Sequence, residues 1–220
     1  MAESRSFQLN CACGHEFETI LWDSINVTEN KGLKSQLLNG EINIIQCPKC
    51  KKKSYIEKEL LYHDMDLKLW IRMYPQMDRP KWPSLEDEMG QKLQQKLKLD
   101  AYAFRMVFGR DELVEKVRIF DSGLDDRVIE LLKLRVVQED ESLKDAHDVR
   151  IAFSRYIPED AEIQLHVYSQ QNNVSQTVIV SFDHYVEIEE SQEHLAAPKD
   201  ESQKICHGSY VNLSKSRILH

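Results

Sequence analysis

The chain has 220 residues, of which 41% are hydrophobic and 30% are charged, and its formal net charge is -8. This composition is typical of a folded globular protein and excludes wholesale disorder. No apolar run approaches the ~20 residues that a membrane-spanning helix needs, and the N-terminus lacks the basic and apolar regions of a signal peptide. We therefore expect a cytoplasmic protein that has no membrane partner and in which disulfides are disfavoured.

The first predicted domain spans residues 1–80 and combines short strands with a single helix. Its apolar residues alternate with polar ones in most segments, and one segment instead has helical spacing followed by a glycine. The predicted segments are two strands within 6–27, a helix over 30–39 that ends at Gly40, strands at 42–45 and 54–56, and an apolar stretch over 60–74.

Four of the five cysteines lie in two close pairs, Cys11 with Cys13 and Cys47 with Cys50. A structural zinc ion takes four soft ligands in a tetrahedron, and a tight turn can aim two thiolates at one ion. The spacing therefore predicts one structural Zn²⁺ bound by Cys11, Cys13, Cys47 and Cys50, with His15 as an alternative fourth ligand. Because so short a domain has little core, we expect the ion to stabilise the fold.

A proline cluster at Pro75, Pro80 and Pro83 marks the predicted boundary to a second domain over 84–190. Apolar residues with helical spacing predict helices over 84–139. The first predicted helix begins at a capping box of Ser84 and Asp87 and has Leu97 on its apolar face, and the second spans 102–108. The third contains Leu113, Val117 and Phe120 and ends at Gly123, and the fourth begins at Asp125.

Residues 149–189 change to strict alternation of apolar and polar residues, which predicts three antiparallel strands and a fourth at 185–188. The polar residues 191–220 are predicted to form a flexible tail. The expected fold class is α+β. A zinc-ribbon-like N-terminal β domain with a helical insertion is followed by a helical segment and a small antiparallel sheet.

Several short motifs occur together in the first part of the chain. They are residues 13–18 (CGHEFE), 22–27 (WDSINV), 37–43 (LLNGEIN), 47–50 (CPKC) and 61–65 (LYHDM), together with the stretch 99–132. In combination they resemble the bacterial CpXC family, which is named for two Cys-Pro-x-Cys motifs. The second motif is intact here, whereas Asn10 and Cys11 stand at the first cysteine and the proline of the first motif. The resemblance implies zinc binding and a bacterial cytoplasmic origin, and it implies no reaction.

Lys49, Lys51, Lys52 and Lys53 surround Cys50 and support two interpretations. They could contact the phosphate backbone of a nucleic acid, or they could offset the negative charge of a zinc ion bound by four thiolates. Residues 1–80 carry equal numbers of basic and acidic residues, whereas the later parts are acidic. Any contact with a polyanion is therefore expected near the N-terminus.

No nucleophile–base motif, phosphate-binding loop or dinucleotide fingerprint is present in the sequence, so no catalytic residue is assigned. His63 and Asp64 could suggest an acid–base pair, but adjacent residues of a strand point to opposite faces. The sequence therefore predicts a non-enzymatic zinc-binding module that contacts a protein partner. The alternative is a nucleic-acid-binding regulator that uses the lysines around Cys50.

Overall fold

A computed structural model describes residues 2–96, 102–144, 149–169, 174–191 and 201–217. The chain divides into two compact units, Met1–Val114 and Glu115–His220. Both helices and sheets are present, which confirms the predicted α+β class. The two units meet after Val114, whereas the sequence predicts the domain boundary at the proline cluster. No helix among the described residues has both the length and the apolar character to cross a membrane.

The unit Met1–Val114 is built on a five-stranded mixed sheet with the order β1-β2-β5-β6-β7 and on a separate two-stranded hairpin, β3-β4. A 3-10 helix at Gln76–Lys81 occupies the proline cluster. The strands are β1 (Glu3–Asn10), β2 (Glu16–Asn26), β3 (Ile44–Gln46), β4 (Lys53–Tyr55), β5 (Leu60–Asp64), β6 (Leu69–Tyr74) and β7 (Ala103–Phe108), and the helices are α1 (Lys31–Leu38) and α2 (Trp82–Lys96).

Helix α1 confirms the predicted insertion between the strands. Its N-terminus is capped by Asn30, whose side chain accepts a hydrogen bond from the backbone N–H of Gly32. Leu33 and Leu37 are fully buried on one face. The helix ends at Leu38, and Gly40, which follows the C-cap residue Asn39, has a φ of 71° that lets the chain turn away.

Two predictions for this unit are wrong. The segment predicted as a helix over 102–108 contains strand β7, which pairs in parallel with β6. Phe104, Met106 and Phe108 alternate with other residues, so a strand was equally consistent with the sequence. Helix α2 begins at Trp82 rather than at a capping box, and the hydroxyl of Ser84 donates to the carbonyl of Lys81. Leu97 lies outside the described residues.

The unit Glu115–His220 packs helices against one face of a three-stranded antiparallel sheet with the order β10-β9-β8. The boundary between the units falls within helix α3. The strands are β8 (Arg150–Ile157), β9 (Glu162–Ser169) and β10 (Val174–Ser181), and the helices are α3 (Gly109–Asp121), α4 (Asp126–Glu139), α5 (Glu141–Lys144), α6 (Phe182–Ser191), α7 (Glu201–Cys206) and α8 (Ser214–Arg217).

The three strands and the helix start at Asp125 agree with the sequence, since Asp125 accepts a hydrogen bond from the backbone N–H of Arg127. The fourth strand predicted at 185–188 is wrong, because these residues lie in α6. Tyr185 is buried there, and its hydroxyl accepts a hydrogen bond from the backbone N–H of Asp125. Phe182, Val186 and Ile188 of the same helix pack against the core that contains Tyr185.

The prediction of a flexible tail also differs from the structure over residues 201–217. This segment forms α7 and α8 and contributes buried apolar side chains. Ile205, Tyr210 and Val211 are each fully buried. The segment is therefore part of the packed unit, although its average composition is polar. Residues 192–200 of the predicted tail lie outside the described residues.

Candidate metal centre

The two cysteine pairs lie at the tips of two hairpins. Cys11 and Cys13 lie in the turn between β1 and β2, and Cys47 and Cys50 lie in the turn between β3 and β4. The strand pairing runs up to each turn, with Asn10 opposite Glu16 in the first hairpin and Gln46 opposite Lys53 in the second. Each turn therefore has a fixed start and end.

The two turns have similar backbone geometry. In the first, the N–H of Cys11 donates to the carbonyl of His15 at 2.9 Å, and Gly14 has a φ of 79°. In the second, the N–H of Cys47 donates to the carbonyl of Lys52 at 3.0 Å, and Lys51 has a φ of 61°. Each turn thus closes on a backbone hydrogen bond and passes through the left-handed region directly after its last cysteine.

The four sulfur atoms all lie within 4.8 Å of one another. The Sγ atoms of Cys11 and Cys50 are 3.5 Å apart, and those of Cys13 and Cys47 are 3.8 Å apart. A tetrahedral ion with metal–sulfur bonds of about 2.3 Å separates its ligands by about 3.8 Å. The cluster could therefore hold a metal ion.

Backbone donors favour the charged form of one thiol. Hydrogen bonds from the backbone of Cys50 and then of Lys49 lower the pKa of Cys47 to about 6. The hydrogen bond with the backbone of His15 also lowers the pKa of Cys13, but the neighbouring thiols and desolvation outweigh it and raise that pKa to about 12. Backbone donors therefore favour the thiolate form, which is the form that binds a metal ion, at Cys47.

The cluster lies at the surface of the unit. Cys47 is buried, Cys11 is half-buried, and Cys13 and Cys50 are exposed. A bound ion would consequently be reachable by a chelator without unfolding of the sheet. His15, the alternative ligand, is not part of the group of four, and its ring stacks on Phe17 with centroids 6.3 Å apart.

The lysines around Cys50 project into solvent. Lys49, Lys51, Lys52 and Lys53 are all exposed, and they lie in the second turn and at the start of β4. The backbone of Lys51 and Lys52 forms hydrogen bonds with the backbone of Cys47 that close the turn. Their side chains take no part in these hydrogen bonds and extend into solvent. The structure thus concentrates positive charge beside the sulfur cluster.

The residues of the candidate acid–base pair are not brought together. His63 contacts Tyr102, with 3.4 Å between Nε2 and the hydroxyl oxygen. Asp64 is buried and forms an ion pair with Lys34 at 2.9 Å. Desolvation raises the pKa of Asp64, but the hydrogen bond from Lys34 and further donors outweigh it, so that pKa is lowered. Each side chain therefore has a structural partner of its own.

Sequence reasoning missed a second group of charged side chains, which lies in the unit Glu115–His220. Lys116 contacts Asp126 and Glu130 at 3.0 Å each. Lys133 contacts Glu115 at 2.6 Å and Glu130 at 2.9 Å. All five side chains are buried. Oppositely charged residues three positions apart, such as Glu130 and Lys133, are common on exposed helix surfaces. The sequence therefore did not indicate that these side chains are buried.

Backbone donors complete this network. The N–H of Leu213 donates to Glu130 at 2.8 Å, and the N–H of Phe153 donates to Glu115 at 2.5 Å. Burial lowers the pKa of Lys116, but Asp126 and Glu130 outweigh burial and raise it. The network therefore consists of charged, mutually compensated groups that connect α3 and α4 to β8 and to the C-terminal segment.

Fold and site together define an α+β protein with a cluster of four cysteines that could hold a metal ion. The family model described as CpXC protein matches residues 9–133, a span that includes all four cysteines. The chain belongs to the CpXC family. No curated protein and no solved structure matches the chain.

Proposed function

We propose that this chain is a non-enzymatic module in which one structural zinc ion joins two hairpins, and that the module mediates protein–protein interaction. The observation that carries the proposal is the convergence of four sulfur atoms, from Cys11, Cys13, Cys47 and Cys50, within 4.8 Å. Zinc is the metal of choice because it accepts an all-thiolate tetrahedron and undergoes no redox chemistry.

The donor set supports a structural role for the ion. Four thiolates fill all four positions of a tetrahedral ion, whereas catalytic zinc keeps one position open for water or substrate. The hairpin tips also have few apolar contacts of their own, since β1 is exposed over most of its length and only Cys47 of the four cysteines is buried. A shared ion supplies the cohesion that packing does not provide there.

Removal of the metal tests the structural role. All three tryptophans, Trp22, Trp70 and Trp82, lie in the unit Met1–Val114, so tryptophan fluorescence reports on that unit alone. A chelator should shift the tryptophan emission and expose residues 1–60 to proteolysis, while cleavage within 115–217 stays unchanged. Identical proteolysis with and without chelator would refute a structural zinc ion.

The interaction role is tested by affinity capture with the metal-loaded chain. A Cys47→Ser, Cys50→Ser variant serves as the matched bait because it lacks two ligands of the second turn. The proposal predicts a protein that is captured by the natural chain and lost with the variant. Capture of the same proteins by both baits would show that the zinc-bound hairpins do not form the binding surface.

A nucleic-acid-binding role is a second candidate, favoured by the exposure of Lys49, Lys51, Lys52 and Lys53 beside the cluster. Zinc with four thiolates carries about two net negative charges, which four lysines more than offset. Salt-dependent retention on DNA or RNA should then be lost on changing Lys51, Lys52 and Lys53 to Glu. The control changes three exposed lysines elsewhere in the same unit, Lys31, Lys68 and Lys81, to Glu. Equal loss with both sets would indicate a nonspecific effect of net charge.

A further inference from the structure

The three-stranded sheet has two edge strands, β8 and β10, with opposite character. Edge β8 carries Arg150 and Arg155, has a register shift between Phe153 and Arg155, and is followed by Pro158. Charges, bulges and prolines are the features that prevent an edge strand from pairing with another chain. Edge β8 is therefore protected against pairing.

Edge β10 has none of these protective features. Its sequence, VSQTVIVS, contains no charged residue, no proline and no glycine, and it pairs with β9 in continuous register over eight residues. Within the part of the chain that the structure describes, β9 is the only strand beside it. Ile179 is 57% exposed on the outer face. Such an edge is a template for an added strand.

A groove runs along the same edge between β10 and helix α4, with a volume of about 470 Å³. Leu132 and Val136 of α4 and Val178 and Val180 of β10 give it an apolar floor. Charged side chains form the rest of the lining on the helical side, namely Arg135, Glu139, Asp140 and Glu141. A strand added to β10 would direct alternate side chains towards this groove, because side chains alternate between the faces of a sheet. Apolar residues at alternate positions of the added strand would contact the apolar floor of this groove.

We propose that β10 pairs in antiparallel fashion with β10 of a second copy of this chain, so that the two sheets join into one. This inference goes beyond the proposed function, because it concerns the unit Glu115–His220 and does not depend on the metal. In a pairing centred on Val178, Thr177 lies opposite Ile179 and Gln176 lies opposite Val180. Side chains of opposite residues then lie on the same side of the joined sheet, so Val178 of the second copy points towards the groove. Strand β10 of each copy thus places its alternate apolar residues against the groove of the other copy.

Charge also favours pairing at this edge. Residues 115–220 contain 12 Lys and Arg and 20 Asp and Glu, for a net charge of -8, so two copies repel each other over most of this unit. The eight residues Val174–Ser181 form an uncharged strip, so the two paired strands themselves place no like charges opposite each other.

Sedimentation equilibrium of the metal-loaded full chain tests the pairing. The natural chain should have twice the mass of one chain at high protein concentration. A Thr177→Lys, Ile179→Lys variant should have the mass of one chain, because the pairing centred on Val178 places these lysines opposite each other. The matched control, Ala152→Lys with Ile157→Lys on the outer face of β8, should remain dimeric. A natural chain that is monomeric at all concentrations would overturn the proposal, as would a folded Thr177, Ile179 variant that is still dimeric.

Hydrogen exchange provides a second measurement that needs no variant. Amides of residues 174–181 should become more protected as the concentration of the natural chain rises, while those of β8 should not change. A dimer whose β10 amides show no change would place the contact elsewhere and overturn the proposal, even if the lysine variant failed to fold.

Discussion

The carboxamide of Asn43 pairs with both backbone polar atoms of Trp22. Its Oδ1 accepts from the Trp22 N–H at 2.7 Å, and its Nδ2 donates to the Trp22 carbonyl at 3.1 Å. Asn43 is buried, has a φ of 56°, and accepts a backbone hydrogen bond from Ile56. This one side chain holds the segment before the second cysteine turn against strand β2 through the same two hydrogen bonds that a residue of a neighbouring strand would form.

An Asn43→Asp substitution tests this tie with a side chain of nearly the same shape. The carboxylate can still accept from the Trp22 N–H, but at pH 7 it places a charge against the Trp22 carbonyl. We expect a loss of about 2–4 kcal/mol in the free energy of unfolding, measured by urea titration of the tryptophan fluorescence. The control is Asn39→Asp, an exposed side chain at the C-terminus of α1, which should cost less than about 1 kcal/mol because the added charge opposes only the helix dipole. Equal effects of the two substitutions would contradict the role of Asn43.

The two cysteine turns differ at the position with positive φ, which is Gly14 in the first turn and Lys51 in the second. A Cβ added at Gly14 meets no atom within 4 Å, so Gly14→Ala introduces backbone strain alone. It should destabilise the zinc-loaded chain by about 1 kcal/mol, and Lys51→Gly should stabilise it by about the same amount. Lys51→Ala removes the charge and keeps the strain, and it should be close to neutral in urea unfolding. Changes of the same sign at Gly14 and Lys51 would contradict the matched geometry.

The grouping of the four cysteines was more predictable from the sequence than the fold was. The two cysteines of each pair are close in sequence, so a pair such as Cys47 and Cys50 indicates a metal site without knowledge of the tertiary structure. Strand β7 and helix α6 were mispredicted because short apolar runs fit both periods, and a tertiary contact such as that of Tyr185 decides between them. The buried charges could not be predicted, since their burial depends on pairing between α3 and α4.

The buried network predicts a large effect from removal of one cation. Lys116→Met leaves Asp126 without this lysine and Glu130 with only one of its two lysines inside the packed unit, and it should destabilise the unit Glu115–His220 by about 3–5 kcal/mol. Hydrogen exchange in segments of 115–217 during urea unfolding measures this. The control is Arg135→Met, which removes an exposed ion pair with Glu139 and Glu187 and should cost less than about 1 kcal/mol. A comparable small effect at Lys116 would contradict the structural role of the network.

The same network determines a pH dependence. Burial raises the pKa of Glu130, but the two lysines outweigh burial and lower it from the ordinary value of 4.5. Its contribution to stability is therefore present above pH 4.5 and is lost as the pH falls through the lower, folded-state pKa.

In Lys116→Met, Glu130 loses one of the two cations that lower its pKa, so this pKa rises towards the ordinary value. Because the pH-dependent contribution grows with the difference between the folded and the ordinary pKa, the natural unit should lose more free energy of unfolding than the variant as the pH falls below 4.5. The free energy of unfolding of both proteins is measured by incubation in urea at each pH, followed by hydrogen-exchange labelling of segments within 115–217 at one common pH. Parallel pH profiles for the two proteins would contradict the assignment of the shift to Lys116.

The metal content per chain shows whether the two hairpin tips share a single zinc ion. Elemental analysis by mass spectrometry should find about one zinc per natural chain, and less than about one tenth of that in the Cys47→Ser, Cys50→Ser variant and in the Cys11→Ser, Cys13→Ser variant. A Cys206→Ser control should keep the full amount, because Cys206 is buried in the other unit. Stoichiometric zinc in either double variant, or no zinc in the natural chain, would rule out a zinc ion shared by the two tips.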